Sequence, residues 1–266
     1  MKVSILASGS NGNATLIETS NESFLIDNGL SFKTLYARVE ECGCSVEKIS
    51  SLFLTHEHTD HVSGVKVLLK RLPLMCYLSK GTYEGLNLET KMQLETSGYT
   101  LIKSDDTIFM KECKITVLKT HHDANEPIGF VIEESDKKVV YITDTGYVDQ
   151  VYFPLLKNAD AYILESNYDV ELLWSSGRPF DLKKRIDGDY GHMSNVTSAI
   201  LLSRLIGDNT KKVVFAHISD DCNYYGMPDL IFKEHKKIYD EIGVDYQKID
   251  FYFGNRHGVT GVFEVW

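Results

Sequence analysis

The chain has 266 residues, of which 43% are hydrophobic and 25% charged; these are the proportions of a globular protein, and they exclude extended disorder. With 28 basic and 38 acidic residues the net charge is −10, so the average surface repels polyanions, and any nucleic-acid contact has to come from a local basic patch or from bound cations. The five cysteines, at 42, 44, 76, 113 and 222, include no C-x-x-C pair, which argues for a reducing compartment over a disulfide framework.

The opening residues lack the apolar stretch of a secretory leader, and no run approaches the about 18 apolar residues of a membrane span. A cytoplasmic protein is expected. Residues 3–7 read as a first buried strand, and residues 15–18 and 24–26 as two more, joined by Gly-, Ser- and Asn-rich turns. A helix is expected from residue 32 to about 41. Beyond it a pattern recurs, in which a short apolar run stops and a His or an acid follows. Leu52-Phe53-Leu54-Thr55 leads to His56, residues 115–119 to His121 and His122, and residues 139–142 to Asp144. Residues 162–164 lead to Glu165 and residues 213–215 to His217. Buried strands of α/β sheets read this way, and ligands gather beyond their ends.

Helical spacing lies between these runs. Val62, Val65, Leu68, Leu69 and Leu72 share one face, as do Ile200, Leu201, Leu205 and Ile206, and Leu230, Ile231, Ile238 and Ile242. The aromatic-rich stretch 170–180, with Leu172, Leu173 and Trp174, reads first as an amphipathic core helix, the alternatives being a cover over the cleft or a dimer contact. No repeat or linker interrupts the chain, so one domain over residues 1–266 is expected. Oligomeric state leaves no signal.

The densest chemistry is Thr55-His56-Glu57-His58-Thr59-Asp60-His61, which puts three imidazoles and a carboxylate within six residues. A metal ion needs several donors to offset its dehydration. Imidazole suits Zn, Fe and Ni, and carboxylate tolerates harder ions. An isolated His pair more often sits in solvent or caps a helix, but four donors directly after a strand point to a metal site.

The H-x-H-x-D-H string resembles the hallmark of the metallo-β-lactamase superfamily, and other strings extend the likeness. Residues 6–14 are similar to the L-x-S-G-S-x-G-N start of its WalJ/YycJ exonuclease-like subgroup. Residues 122–130 resemble H-D-A-x-x-P-x-G-F, residues 165–169 resemble E-x-N-H-D, and residues 191–195 resemble G-H-L-S-N. Two departures stand out: Tyr168 replaces a usual His, and Asp221-Cys222-Asn223 replaces E-N-N. The resemblance implies an α/β fold, a four-layer αβ/βα sandwich, with two divalent metal ions. Zn or Mn is expected, and Fe, Co or Ni is compatible. It implies His56, His58 and a later His on one metal, Asp60, His61 and His217 on the other, and Asp144 bridging. The later His is His121 or His122, and the matching string favours His122. Cys222 reads first as a packing thiol, with metal ligation as the alternative.

A two-metal centre makes a nucleophile of bound water. Asp60 or Asp144 is expected to orient it, and His192 to serve as general acid. Gly188, Gly191 and Ser194 form a turn before the following helix, which Asn195 is placed to cap. Glu165 is expected near the site, either orienting a ligand His or pairing with Arg185. Amides of the turn holding Ser8, Ser10 and Asn13 are open to an anion. Phosphodiester cleavage in DNA or RNA, exonuclease-like, is the first reading of function, with Lys183-Lys184-Arg185 as a phosphate contact and Lys211, Lys212, Lys236, Lys237 and Arg256 as further candidates. The alternative is a small-molecule hydrolase acting on a cyclic phosphodiester, lactone or thioester. A di-iron redox protein would carry H-x-E-x-D and a flavin domain, and a degenerate regulatory protein would lack an intact donor set.

Overall fold

The computed structural model describes residues 1–266 apart from Tyr225, Arg256 and Trp266. Its strands fall into two seven-stranded sheets. The chain divides into two compact units: Met1–Lys119 with Ala124–Lys137 and Gly254–Trp266, and Thr120–Asp123 with Lys138–Phe253.

The first unit opens with β1 (Lys2–Ala7), β2 (Ala14–Glu18) and β3 (Ser23–Ile26), antiparallel and joined by short turns. From β3 onward β4 (Ile49–Phe53), β5 (Met75–Leu78) and β6 (Tyr99–Leu101) run parallel, which requires crossover connections. Helices supply them: α1 (Phe32–Glu41) before β4, α2 (Thr59–Val62) and α3 (Val65–Arg71) before β5, and α4 (Lys80–Gly85) and α5 (Leu88–Ser97) before β6. α1 occupies the expected span. Ser31 caps it by accepting from Thr34 N at 3.2 Å, and Leu35 and Val39 are its buried face.

The spacing of Val62, Val65, Leu68, Leu69 and Leu72 predicts one helix, but the structure breaks it at Ser63–Gly64. A Cβ on Gly64 would stand 1.9 Å from the Leu30 carbonyl oxygen, so the chain turns where the backbones touch. β7 (Thr107–Phe109), β8 (Lys114–Lys119) and β9 (Ile128–Glu134) form an antiparallel meander. Under the end of β4, Phe53 stacks on Tyr77 at 4.6 Å and meets Phe24 and Phe130 edge-on at 5.4 and 5.6 Å. Each such pair adds about 0.5–1.5 kcal/mol beyond burial, which anchors the strand that launches residues 56–61.

The second unit is a parallel array of β10 (Lys137–Ile142), β11 (Ala161–Glu165), β12 (Lys212–Ala216) and β13 (Asp250–Phe253). Ile142, Leu164, Phe215 and Phe253 stand in one row, so the strand ends are level. Val139, Val140, Tyr162, Val213, Val214 and Phe215 are fully buried, as the continuous apolar runs require. Helices α6 (Phe153–Leu156), α7 (Val170–Ser175), α8 (Phe180–Ile186), α9 (Asn195–Leu205) and α10 (Pro228–Ile242) complete the unit. The core helix expected over 170–180 is not formed. α7 stops at Ser175, Gly177 and Pro179 interrupt the stretch, and of α7 only Leu173 is buried. β14 (Thr260–Glu264) returns to pair antiparallel with β1. Among the described residues no helix is long and apolar enough to cross a membrane.

Candidate metal centre

In the first unit, β4 delivers the chain to Thr55 and the histidine string. His58 precedes α2, and that one-turn helix carries Asp60 and His61. His56 lies 4.6 Å from His58 and 4.1 Å from His61 between ring centroids. The anchor is Asp27, fully buried at the end of β3 with φ of 59°. Its Oδ1 accepts from Thr55 N at 2.8 Å, and its Oδ2 from the Thr55 hydroxyl and His61 Nδ1, both at 2.8 Å. The Thr55 hydroxyl spends its proton on Asp27, so its oxygen accepts from His56 Nδ1 at 3.0 Å. Both imidazoles are thereby held in the tautomer whose lone pair is at Nε2.

The opening turn takes part as well. Asn13 Nδ2 donates to Asp60 Oδ2 at 3.0 Å and lies 2.9 Å from His61 Nε2. With His61 Nδ1 donating to Asp27, Nε2 is the acceptor, so one amide bridges the two lone pairs that a cation would use. The turn expected to receive an anion thus supports Asp60 and His61 through Asn13. Close approach is built in: a Cβ on Gly29 would be 1.8 Å from the Asp60 carbonyl oxygen. Glu57 turns aside, its Oε1 accepting from Asn125 N at 2.8 Å.

In the second unit the donors come from level strand ends: Asp144 just beyond β10, Glu165 as the last residue of β11, and His217 just beyond β12. Asp144 and His217 have φ of 54° and 52°, a conformation that non-glycine residues rarely adopt and that clusters at functional sites. One donor atom from each of Asp144, Glu165, His192 and His217 lies within 4.8 Å of every other. Glu165 is the hub. Its Oε1 accepts from His192 Nδ1 at 2.8 Å and His217 Nδ1 at 3.0 Å, and its Oε2 from Thr145 N and Met193 N, both at 3.1 Å. Burial opposes its charge, yet the two imidazoles hold its carboxyl well below the usual carboxylate range.

His122 donates from Nδ1 to the Gly191 carbonyl at 2.9 Å and points Nε2 toward Asp144, 3.9 Å away. Burial lowers its basicity against the pull of Asp144, which favours the neutral ring a metal needs. His121 faces elsewhere, bonded to Asp149 at 2.8 Å and stacked on Tyr147 at 4.0 Å. Of the two, it is His122 whose Nε2 comes near Asp144.

Some expectations stand and others change. Glu165 serves the histidines, and Arg185 pairs with Asp123 instead. α9 is capped by Ser194, whose side chain accepts from Thr197 N. Asn195 is buried, with its amide bonded to Ser166, Asn223 and Glu234. Cys222 packs with Tyr168, Leu173 and Ile186, and Tyr168 donates its hydroxyl to Asp187. Lys211 and Lys212 lie at the start of β12, whose far end leads to His217. That is a strand length from the cluster, at about 3.3 Å per residue. Arg256 lies outside the described residues. Asp27 and Asn13 are the supports that sequence reasoning missed, although Asp27-Asn28-Gly29 after an apolar run is the same strand-end pattern that marked Asp144.

The donors fit divalent metal ions: imidazoles fixed for Nε2 ligation, with carboxylates beside them. Comparison with known proteins agrees. The profile described as "Beta-lactamase superfamily domain" matches residues 22–218, and the chain belongs to that superfamily. Exodeoxyribonuclease WalJ of Streptococcus pneumoniae serotype 2 is 34% identical over 251 residues, covering 94% of this chain and 93% of its own. Exodeoxyribonuclease YycJ of Bacillus anthracis is 33% identical over 220 residues, 83% of each chain. The structure of the metallo-beta-lactamase fold protein YhfI from Bacillus subtilis has a TM-score of 0.69 at 18% identity, covering 97% of this chain and 98% of that one, a likeness of fold. The chain is a metal-dependent hydrolase of the α/β metallo-β-lactamase sandwich fold, related to nuclease-like enzymes.

Proposed function

We propose that the chain hydrolyses phosphodiester bonds of nucleic acid, exonuclease-like, with two divalent metal ions. His56, His58 and His122 would hold one ion, Asp60, His61 and His217 the other, and Asp144 both. Zn or Mn fits best, and the same donors accept Fe, Co or Ni. The observation that carries this reading is the shared orientation of the imidazoles. The Nδ1 atoms of His56, His61, His122 and His217 are engaged by Thr55, Asp27, Gly191 O and Glu165, which leaves Nε2 as the nitrogen that would ligate and supports the reading. The exodeoxyribonuclease relatives support the substrate class.

When bound, such a pair of cations acidifies a water toward neutrality and polarises the phosphoryl oxygen. Asp60 or Asp144 would orient that water and take its proton. His192 gives a proton to the departing oxygen. Its Nδ1–H is directed at Glu165, whose negative charge would stabilise the imidazolium, and Nε2–H would be the proton it gives. Four buried thiols, Cys42, Cys44, Cys76 and Cys113, are pushed up by burial, and all five cysteines are free, which supports a reducing, cytoplasmic setting.

The net charge of −10 favours the second reading, a hydrolase of a small cyclic phosphodiester, lactone or thioester. Metal-loaded protein assayed against single- and double-stranded oligonucleotides, bis(p-nitrophenyl) phosphate, lactones and thioesters separates the two. Oligonucleotide and diester cleavage is expected. Turnover of carboxylic esters or thioesters alone defeats the nuclease reading.

A further inference from the structure

We infer that α7, α8 and the turn joining them are a platform for an unpaired nucleic-acid strand. The inference rests on the phosphodiester reading and says where the strand lies. Trp174 and Phe180 are 38% and 63% exposed, with ring centroids 5.9 Å apart and planes at 58°. Around these rings the chain, acidic as a whole, places Arg178, Lys183, Lys184 and Arg185 within eight residues.

Two of the four cations are engaged, Arg178 with Asp221 and Arg185 with Asp123. Lys183 donates to the Trp174 carbonyl at 2.8 Å, and Lys184 lies 5.4 Å over the Phe180 ring. Neither lysine forms an ion pair among the described residues, so both ammonium charges remain for a phosphate. Exposed rings with cations beside them are the recipe for single strands: bases stack on the rings, and the backbone tracks the charge. An apolar peptide face would use the rings alone, whereas a strand of bases and phosphates uses rings and ammonium groups together.

The rings are also aimed. Trp174 Nε1 donates to Asp187 at 3.0 Å, and the buried Tyr168 donates its hydroxyl to the same carboxylate. Tyr168, a departure from the subgroup string, thus has a role in holding the indole. The platform joins directly to the chemistry. The carbonyl of Ile186, the last residue of α8, accepts from His192 N at 2.9 Å, and Arg185 holds Asp123 beside His122.

The test is fluorescence anisotropy of labelled phosphorothioate oligonucleotides, single-stranded and blunt duplex, on the metal-loaded protein. Trp174→Ala and Phe180→Ala are each expected to weaken single-strand binding roughly five- to a hundredfold, the range of one stacked base, with a smaller effect on blunt duplex. Lys183→Glu with Lys184→Glu is expected to flatten the salt dependence by about 0.7 for each phosphate that the lysines no longer neutralise. Trp174→Phe, which keeps a ring, is expected to restore most of the affinity missing in Trp174→Ala, and circular dichroism checks each fold. If the unchanged protein cleaves oligonucleotides while all these variants bind like it, the platform is wrong and the nuclease reading survives. If it cleaves no oligonucleotide or diester, that reading fails and the platform with it.

Discussion

The two units solve one problem, fixing imidazoles for ligation, by different constructions. In the first, four donors sit in a six-residue string on a loop and a one-turn helix, and the order comes from outside the string. Asp27, at the end of a neighbouring strand, orients His61 directly and His56 through Thr55. In the second unit the donors are spread from residue 122 to 217, but level parallel strands bring Asp144, Glu165 and His217 together. There one carboxylate, Glu165, receives two imidazoles. A string of ligands needs an external clamp, whereas strand ends supply position through the sheet itself.

The largest effect tests whether both constructions are needed. Asp60→Ala from the string and Asp144→Ala from the strand ends are each expected to lower turnover by at least about a thousandfold, since a two-metal centre generates the nucleophile. Each is also expected to lower bound metal, measured by inductively coupled plasma mass spectrometry. An Asp144→Ala protein that keeps two equivalents of metal would remove that carboxylate from the ligand set. Next in size is His192→Ala. As a general acid it contributes about 10²–10⁴ in rate, so turnover of a poor leaving group should fall by that much with metal content intact. An activated p-nitrophenyl leaving group should lose far less. Equal losses on both substrates sink the acid role.

The contrast also decides what could be read in advance. The string was legible because its donors are contiguous, and β4, β10, β11 and β12 because buried parallel strands are largely apolar runs, whereas β8, antiparallel to both neighbours, shows alternating burial instead. His217 and Asp144 followed from strand-end position and resemblance. Asp27 was not legible, because its role is set by contacts with residues 55 and 61, far along the chain. Ser194 and Asn195 exchanged roles for a related reason. Both suit a cap locally, and the choice was made by buried amide partners, Ser166, Asn223 and Glu234, that no local pattern reveals. Residues 170–180 carry helical apolar spacing, yet Gly177 and Pro179 prevail locally and leave Trp174 at the surface.

A milder pair of substitutions compares the two clamps. Asp27→Asn and Glu165→Gln each remove the charge behind an imidazole, and losing such a partner typically costs 10- to 100-fold in metal affinity. Competition with a chromophoric chelator should place Asp27→Asn at the upper end, because His61 and, through Thr55, His56 depend on it and both are proposed ligands, and Glu165→Gln at the lower, because of its two imidazoles only His217 is a proposed ligand. The reverse order would mean that the Glu165 carboxylate, rather than Asp27 with Thr55, sets the harder constraint.

The smallest expected effect concerns a second carboxyl layer that lies behind the strand ends of the second unit. Glu234 accepts from Asn195 Nδ2 at 2.6 Å. Burial first, and then its hydrogen bond with Asp169, raise its pKa to about 7, against the opposing pull of Asn195 and Lys237. The folded protein therefore holds a proton at Glu234 that the unfolded chain releases near pH 4.5, so the unfolded state binds fewer protons between those values and stability must fall as pH rises from about 4.5 to 7. The site is half-buried, so solvent screening reduces the effect to on the order of 1 kcal/mol. Urea midpoints at pH 5 and pH 8 should show Glu234→Gln stabilised relative to the unchanged protein at pH 8 and nearly equal to it at pH 5. Because Asn195 connects this carboxyl to Ser166 just beyond β11, the same pH step should loosen amides of α9 and α10 in hydrogen exchange. A mutant-to-parent difference that stays flat from pH 5 to 8 would mean Glu234 is ionised throughout and shares no proton with Asp169.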